Sequence, residues 1–246
     1  MLVIFFKEIN MKKLAKIVTV LTLALSCAVS APAMSFTVGG KGALFVGAGS
    51  EWRDDSIKDI QSSYEGLGGE FTTGGNVGGG LGLYAALNFA SLGIADLGVQ
   101  TELDFFFNNG VYCTASQTLL GTTKLTGSVS TLDIPVLFTA DFNFTKKLSV
   151  EAESGFYFSI PLSPFHCVTT YQSVSGSEDQ PVRNLNVGMI FGAGLGYKMG
   201  PGSLVGNIRY LFDFTGTQTE ADSKISEAYI RRGLTFSVGY QYTFNL

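Results

Sequence analysis

The sequence is poor in the residues that most enzymes use for catalysis and metal binding. Among its 246 residues are one histidine, one tryptophan, six prolines and three cysteines. The single histidine, His166, stands beside Cys167 but lacks the further, suitably spaced ligands that a zinc site needs. Gly78-Gly79-Gly80 lies within a predicted strand, so it does not indicate a phosphate loop. We therefore predict no catalysis, no metal site and no cofactor.

Charged residues are also scarce. They make up 15% of the chain, whereas a water-covered surface carries roughly 25–35%. Without the N-terminal 33 residues, 12 basic and 19 acidic residues remain. This balance argues against a nucleic-acid partner. The 31 glycines favour strands and turns over helices.

The N-terminus has the pattern of a secretory leader. A basic segment at 12–16 precedes an apolar one at 17–28, and Ala31-Pro32-Ala33 matches an A-x-A cleavage site. The apolar run is shorter than the about 20 residues of a membrane-spanning helix. We predict a leader and signal peptide at 1–33 and one barrel domain at 34–246.

Two alternatives concern this leader. Met11 opens a better-formed signal segment than Met1 does, so residues 1–10 can lie upstream of the true start. Ala24-Leu25-Ser26-Cys27 loosely matches the site at which bacterial lipoproteins are cut and acylated. In that case Cys27 carries a lipid.

The C-terminal segment has the clearest strand pattern. Over 233–246, seven apolar positions alternate without interruption with seven small or polar ones, which predicts a strand with two different faces. Seven further segments alternate in the same way, at about 36–49, 76–90, 97–107, 132–144, 148–160, 185–197 and 208–214. The sequence thus predicts an all-β chain of eight strands.

The connections between these strands alternate in length. Long ones cover 51–73, 108–127, 161–183 and 215–230, whereas those near Leu92, Lys146 and Met199 are short. Transmembrane barrels have long extracellular loops and short periplasmic turns. We predict an eight-stranded antiparallel up-and-down transmembrane β-barrel in the bacterial outer membrane, with four long outer loops and three short periplasmic turns.

The apolar face of each strand is assigned to lipid. The second face is mostly Gly, Ser, Thr and Asn, which suits the narrow interior of an eight-stranded barrel better than it suits water. The inward-facing charged residues are Lys41, Glu102, Asp104, Asp133, Asp141, Glu151, Glu153, Arg209 and Asp213. They predict either a plugged interior held by salt bridges or a narrow cation-preferring pore lined by Glu102, Glu151 and Glu153.

Part of the chain resembles a known family. Leu132-Asp133-Ile134-Pro135-Val136-Leu137-Phe138 is similar to the "L-E-I-P-L-L" strand of small outer-membrane β-barrels, the porin-like relatives of the OmpA membrane domain. Residues 191–197, 208–210 and the closing strand also resemble that family. The resemblance implies contact with outer-membrane lipid and insertion by the barrel-assembly machinery through the C-terminal strand. Pro135 also predicts a β-bulge, because a central strand rarely tolerates proline.

Two cysteines remain once the leader is removed. Cys113 and Cys167 fall in outer loops at the same end of the barrel, in a compartment that is often oxidising. We predict a disulfide between them, with two free thiols as the alternative.

The predicted function follows from the architecture. We expect a non-enzymatic outer-membrane barrel with a structural role or with outer loops that contact extracellular or host molecules. The alternative is a narrow channel or carrier for small solutes.

Overall fold

The computed structural model describes residues 35–48, 51–52, 55–93, 95–117, 121–182, 184–221 and 224–245. The predicted leader at 1–33, with its alternatives at Met11 and Cys27, lies outside the described residues. No helix within these ranges is long and apolar enough to cross a membrane.

Eight antiparallel strands form a closed ring. In ring order they are β1 (Ser35–Val46), β4 (Val77–Ser91), β5 (Ala95–Gln117), β6 (Gly121–Asn143), β7 (Leu148–Pro161), β10 (Asn186–Met199), β11 (Gly202–Asp213) and β14 (Arg232–Asn245). Each strand pairs with its neighbours in sequence, and β14 pairs with β1 over twelve residues, from Ser35↔Asn245 to Val46↔Leu234. The predicted eight-stranded up-and-down barrel is confirmed.

The outward face of the ring is apolar. Side chains in its middle are well exposed, such as Leu81, Leu83, Phe138, Leu195 and Val238 at 60–66%. Aromatic side chains gather near the end with the short turns, where Tyr242 and Phe244 pack with ring centroids 4.7 Å apart. Among sheets, only a closed one satisfies every backbone group in lipid. The outward face of such a barrel carries an apolar band, so this apolar surface is the lipid-facing one.

The long connections are not irregular loops, as the sequence predicted them to be. Strands β5 and β6 continue together beyond the ring, from the Asn109↔Val129 pair to the Gln117↔Gly121 pair. The other connections form β2 (Glu51–Trp52), α1 (Asp55–Gly66), β3 (Glu70–Gly75), β8 (Phe165–Tyr171), β9 (Val174–Gln180), β12 (Thr217–Ala221) and β13 (Lys224–Ile230). These elements, with 109–117 of β5 and 121–129 of β6, are called the outer cap below.

The outer cap has two sheets and its own core. Strands β3, β5, β6, β8 and β9 lie side by side, and β12, β13 and β2 form the second sheet. Between the sheets, buried Val111 and Val129 pack with Phe165 and Tyr229, whose rings stack at 5.4 Å. The cap therefore closes over the barrel at the end that, by the loop-length rule, faces outward.

The ladder at Pro135 differs from the prediction. Thr101 pairs with Val136 and Asp104 pairs with Asp133, so the β5–β6 register is the same on both sides of the proline. The two intervening pairs are missing because proline has no N–H to donate. The register shifts elsewhere, between Phe106 and Asn109, where the ring gives way to the cap.

A charge on the lipid face should destabilise the barrel according to its depth. Phe138 is 65% exposed in the middle of β6, so Phe138→Lys should lower the free energy of unfolding by about 2–4 kcal/mol. Phe144, 68% exposed at the periplasmic turn, is the matched control, and Phe144→Lys should cost about 0–1 kcal/mol. Urea unfolding in lipid vesicles measures both. Equal effects would contradict the assignment of depth.

Candidate functional site

The centre of the barrel interior is organised by Arg209. This side chain projects inward from β11, 4% exposed, between two carboxylates. Its Nη1 and Nη2 donate to Glu102 at 2.6 and 2.8 Å, and its Nε and Nη2 donate to Glu153 at 2.5 and 2.7 Å. Both contacts are bidentate, the geometry that best matches a guanidinium to a carboxylate. Arg209 thus joins β5, β7 and β11 across the interior.

Lys41 extends this group to β1. Its Nζ contacts Glu102 and lies 3.0 Å from an oxygen of Asp104. Gln100 donates to the other oxygen of Glu102 at 2.5 Å. Lys41, Glu102, Asp104, Glu153 and Arg209 are called the central ionic layer below.

Two glycines leave room for the central ionic layer. A Cβ atom on Gly82 would lie 2.0 Å from Asp104 Oδ1, and one on Gly192 would lie 2.5 Å from Glu153 Oε1. The interior of an eight-stranded barrel is only just wide enough for its side chains. The glycines that alternate along the inner face therefore provide the volume that the long ionic side chains fill.

A layer of apolar side chains lies outward of the central ionic layer. Leu137, Ile190 and Leu211 pack around the ring of Tyr157, and all four are at most 3% exposed. Phe45 and Phe106 fill the opposite side of the barrel at 1% and 3% exposure. These six residues are called the apolar layer. An ion path through the barrel has to cross it.

A second ionic group lies between the apolar layer and the cap. Arg231 Nη1 lies 2.9 Å from Asp133 and Nε lies 3.7 Å from Asp213, while the backbone N–H of Arg231 donates to Asp213 at 3.3 Å. The Tyr157 hydroxyl donates to Asp213. The guanidinium also lies over the ring of Tyr157 at 5.1 Å, a favourable cation–π arrangement.

Sequence reasoning missed Arg231. The closing strand was predicted to begin at residue 233, so Arg231 fell outside it. The alternation itself could have identified Arg231. Arg231, Gly233 and Thr235 are two residues apart along the chain, so the alternation places all three on the inward face. Continuing the alternation by one pair would have included it among the interior charges.

Asp141 and Glu151 lie on the periplasmic side of the central ionic layer, and Glu151 lines a small cavity together with Lys41, Glu102 and Arg209. Asp141 and Glu151 are a ladder pair on β6 and β7, and neither forms an ion pair with a basic side chain in the described ranges. Together with Asn207 and Gln241 they line one of two small adjoining cavities, each with about 10 Å³ of space for water centres. That volume holds about one water molecule. The nine predicted interior charges are therefore distributed over three levels.

The predicted disulfide between Cys113 and Cys167 is wrong. The two thiols are not bonded to each other. Cys113 pairs with Leu125 across the β5–β6 ladder and Cys167 pairs with Gly127 across the β6–β8 ladder. Their Cα atoms are therefore separated by two strand spacings across β6 and by two residues along it, or ~12 Å in all. A disulfide needs roughly 4.4–6.8 Å.

His166 lies on the exposed surface of the cap. Its Nδ1 contacts Asp179 Oδ1 at 2.6 Å across the β8–β9 ladder, and the His166 side chain is 49% exposed. The described part of the chain has no group of three or more His, Cys, Asp or Glu side chains placed to hold a metal ion. The pair is exposed on strands β8 and β9 and lines neither of the two interior cavities.

Comparisons with known proteins agree with this architecture. The family model described as "Outer membrane protein beta-barrel domain" matches residues 30–218. The structure of the outer membrane protein OprG from Pseudomonas aeruginosa is similar over 88% of this chain and 98% of that chain, with 14% identity and a TM-score of 0.54. This likeness shows the fold.

Two other solved structures are more distant. A major outer membrane protein from Thermus thermophilus is 17% identical over 87% of this chain and all of that one, with a TM-score of 0.49. The outer membrane protease OmpT from Escherichia coli is 10% identical over 87% of this chain and 98% of that one, with a TM-score of 0.42. No curated protein matches the chain by sequence.

Removing the central cation should destabilise the barrel strongly. In Arg209→Met, Glu102 and Glu153 lose their shared partner, and breaking a buried ion pair costs about 3–5 kcal/mol. Urea unfolding in lipid vesicles measures the loss.

The matched control neutralises the acids as well. The triple variant Arg209→Met, Glu102→Gln, Glu153→Gln leaves no uncompensated charge at these three positions, so it should recover most of that loss. A triple variant no more stable than Arg209→Met would contradict the ionic explanation.

The Cys113 thiol should be unreactive in the folded protein. It is fully buried in the cap, and burial raises the pKa of this thiol, so less reactive thiolate is present near pH 8. Iodoacetamide should label Cys113 at least about tenfold more slowly in folded than in urea-unfolded protein. Peptide mass spectrometry without reduction measures labelling, and a bridged Cys113–Cys167 peptide would contradict the register described above.

Proposed function

Because the chain belongs to the family of outer membrane protein β-barrel domains, we propose that it is a sealed, non-catalytic barrel whose outer cap contacts other molecules. The chain is a bacterial outer-membrane protein, and its apolar face contacts lipid. We propose in addition that the barrel is sealed, that it does not catalyse a reaction and that its cap contacts other molecules.

The observation that carries the proposal is the apolar layer. Leu137, Ile190 and Leu211 are 0–3% exposed, and a hydrophobic constriction excludes water and ions. Two ionic groups flank this layer. A small ion entering from the cap side meets the paired charges around Arg231 and then the apolar layer. From the periplasmic side it passes Asp141 and Glu151, meets the paired charges of the central ionic layer and then reaches the same apolar layer.

Two of the three acids predicted to line a cation channel, Glu102 and Glu153, are engaged by basic side chains, whereas Glu151 is not. Glu102 and Glu153 accept two hydrogen bonds each from Arg209, and Glu102 also contacts Lys41. An ion replacing these contacts would leave a buried cation without its partners, which is costly. These contacts favour the sealed barrel over the predicted alternative, a narrow cation-preferring channel or carrier.

The absence of catalysis rests on the surroundings of His166. Catalytic groups usually converge in a concave pocket. His166 has its contact with Asp179 on an exposed face.

The remaining roles follow from the architecture. We propose that residues 1–33 direct the chain to the envelope and are then removed, and that β14 is the segment read by the barrel-assembly machinery. The outer cap, which has its own core, would be the part presented to extracellular or host molecules.

Planar-bilayer recording of refolded protein tests the sealed state. The wild type should give no steady conductance, while a porin refolded in the same lipid supplies the positive control. Steady cation-selective conductance that falls in Glu102→Gln or Glu151→Gln would overturn the proposal and establish the channel.

A further inference from the structure

The outward face of the large cap sheet is lined with hydroxyl groups. Residues that are directly opposite in antiparallel ladders project from the same face. One such row crosses five strands and consists of Thr72, Thr114, Lys124, Thr170 and Ser175. Because the alternate positions Val111 and Cys113 face the cap core, this row faces away from it.

The hydroxyl groups are held in place. Thr170 and Ser175 hydrogen-bond at 3.0 Å within the row, and Ser116 and Thr122 do so at 3.1 Å in the next row outward. Strands lie about 4.8 Å apart and same-face residues about 6.8 Å apart along a strand. The face is thus an array of donors and acceptors at nearly fixed spacing.

One aromatic ring and one cation stand in this array. Tyr112 lies across Gly74, where a Cβ atom would be only 2.8 Å from the tyrosine ring. Lys124 Nζ is 6.0 Å from the centroid of the same ring. Lys124 has no carboxylate partner among the described residues, whereas Glu70 and Asp179 stand at opposite margins of the sheet.

We propose that this face binds an acidic oligosaccharide from outside the cell. The C–H face of a sugar ring packs on an aromatic ring such as Tyr112, its hydroxyl groups pair with the Thr and Ser array, and its carboxylate or sulfate group pairs with Lys124. The inference rests on the proposed function because it names the class of molecule that the cap contacts.

Other occupants suit the face less well. Protein interfaces have an aromatic and aliphatic centre, whereas the central row here consists of hydroxyl groups and one ammonium. The membrane's own lipopolysaccharide is anchored at the barrel rim. The row at Thr114 lies five residues beyond Asn109, about 17 Å further along the strands.

Calorimetry on the full chain in nanodiscs provides the test. A four-unit oligogalacturonate should bind more tightly than maltotetraose, its neutral counterpart. Tyr112→Ala should weaken oligogalacturonate binding about three- to tenfold, and Lys124→Gln should weaken it about two- to fivefold and abolish the preference over maltotetraose.

Matched variants control for folding and for unspecific charge. Tyr112→Phe and Lys124→Arg should keep the binding, since they retain the ring and the charge. Lys147→Gln removes the same charge at the periplasmic turn, and Tyr171→Ala removes an aromatic ring from the tip of the β8–β9 hairpin. Both should bind as the wild type does.

Three results would overturn the inference. They are no binding of oligogalacturonate by the wild type, binding unchanged in both Tyr112→Ala and Lys124→Gln, and binding of purified lipopolysaccharide core alone. Bilayer recording of the same preparation keeps the two proposals apart. A silent barrel that binds no sugar overturns only the inference, whereas a conducting barrel overturns the proposed function.

Discussion

The structure depends on one constraint: the hydrocarbon of the membrane offers no hydrogen-bond partner to backbone N–H and C=O groups. A strand edge left open in lipid would leave a row of N–H and C=O groups unsatisfied, each at a cost of several kcal/mol. The first and last strands of the ring must therefore pair, and β14 pairs with β1 over all twelve residues of β1. Closure with eight strands then sets a narrow interior, and the inward side chains have to fit that volume.

The interior satisfies this constraint by alternating ionic and apolar levels. Charged side chains are long enough to span the barrel, so Arg209 links three strands that are not all neighbours. Their burial is tolerated because each cation has two acidic partners: Glu102 and Glu153 for Arg209, Asp133 and Asp213 for Arg231. The apolar layer between them provides a low-dielectric boundary for both groups, which strengthens their ion pairs.

The sequence was sufficient for the parts of the fold that lie in lipid. Alternation of apolar and small residues is enforced there by two different environments, so all eight ring strands could be recognised. In the cap the alternation is between small apolar residues and hydroxyls, as in Val111, Tyr112, Cys113 and Thr114. That contrast is too weak to identify strands, and the segment was predicted to be a loop.

The sequence predicted which charged residues belong to the interior, but not how they pair. Parity identified which charges point inward, but not which of them meet, because the partners come from strands distant in sequence. Arg209 and Glu102 are 107 residues apart. The disulfide was misjudged for the same reason. Cys113 and Cys167 were predicted to lie in loops that could approach each other, whereas both lie in ladders on opposite sides of β6.

The continuous β5–β6 hairpin has a mechanical consequence. Its two strands of 23 residues each run from the periplasmic end through the ring into the cap, with two ladder pairs missing beside Pro135 and a register shift between Phe106 and Asn109. A load applied to the cap along the strand axis is therefore carried lengthwise by many ladder hydrogen bonds at once, instead of opening them one after another. Tension on the cap is therefore passed along these two strands to the wall of the barrel.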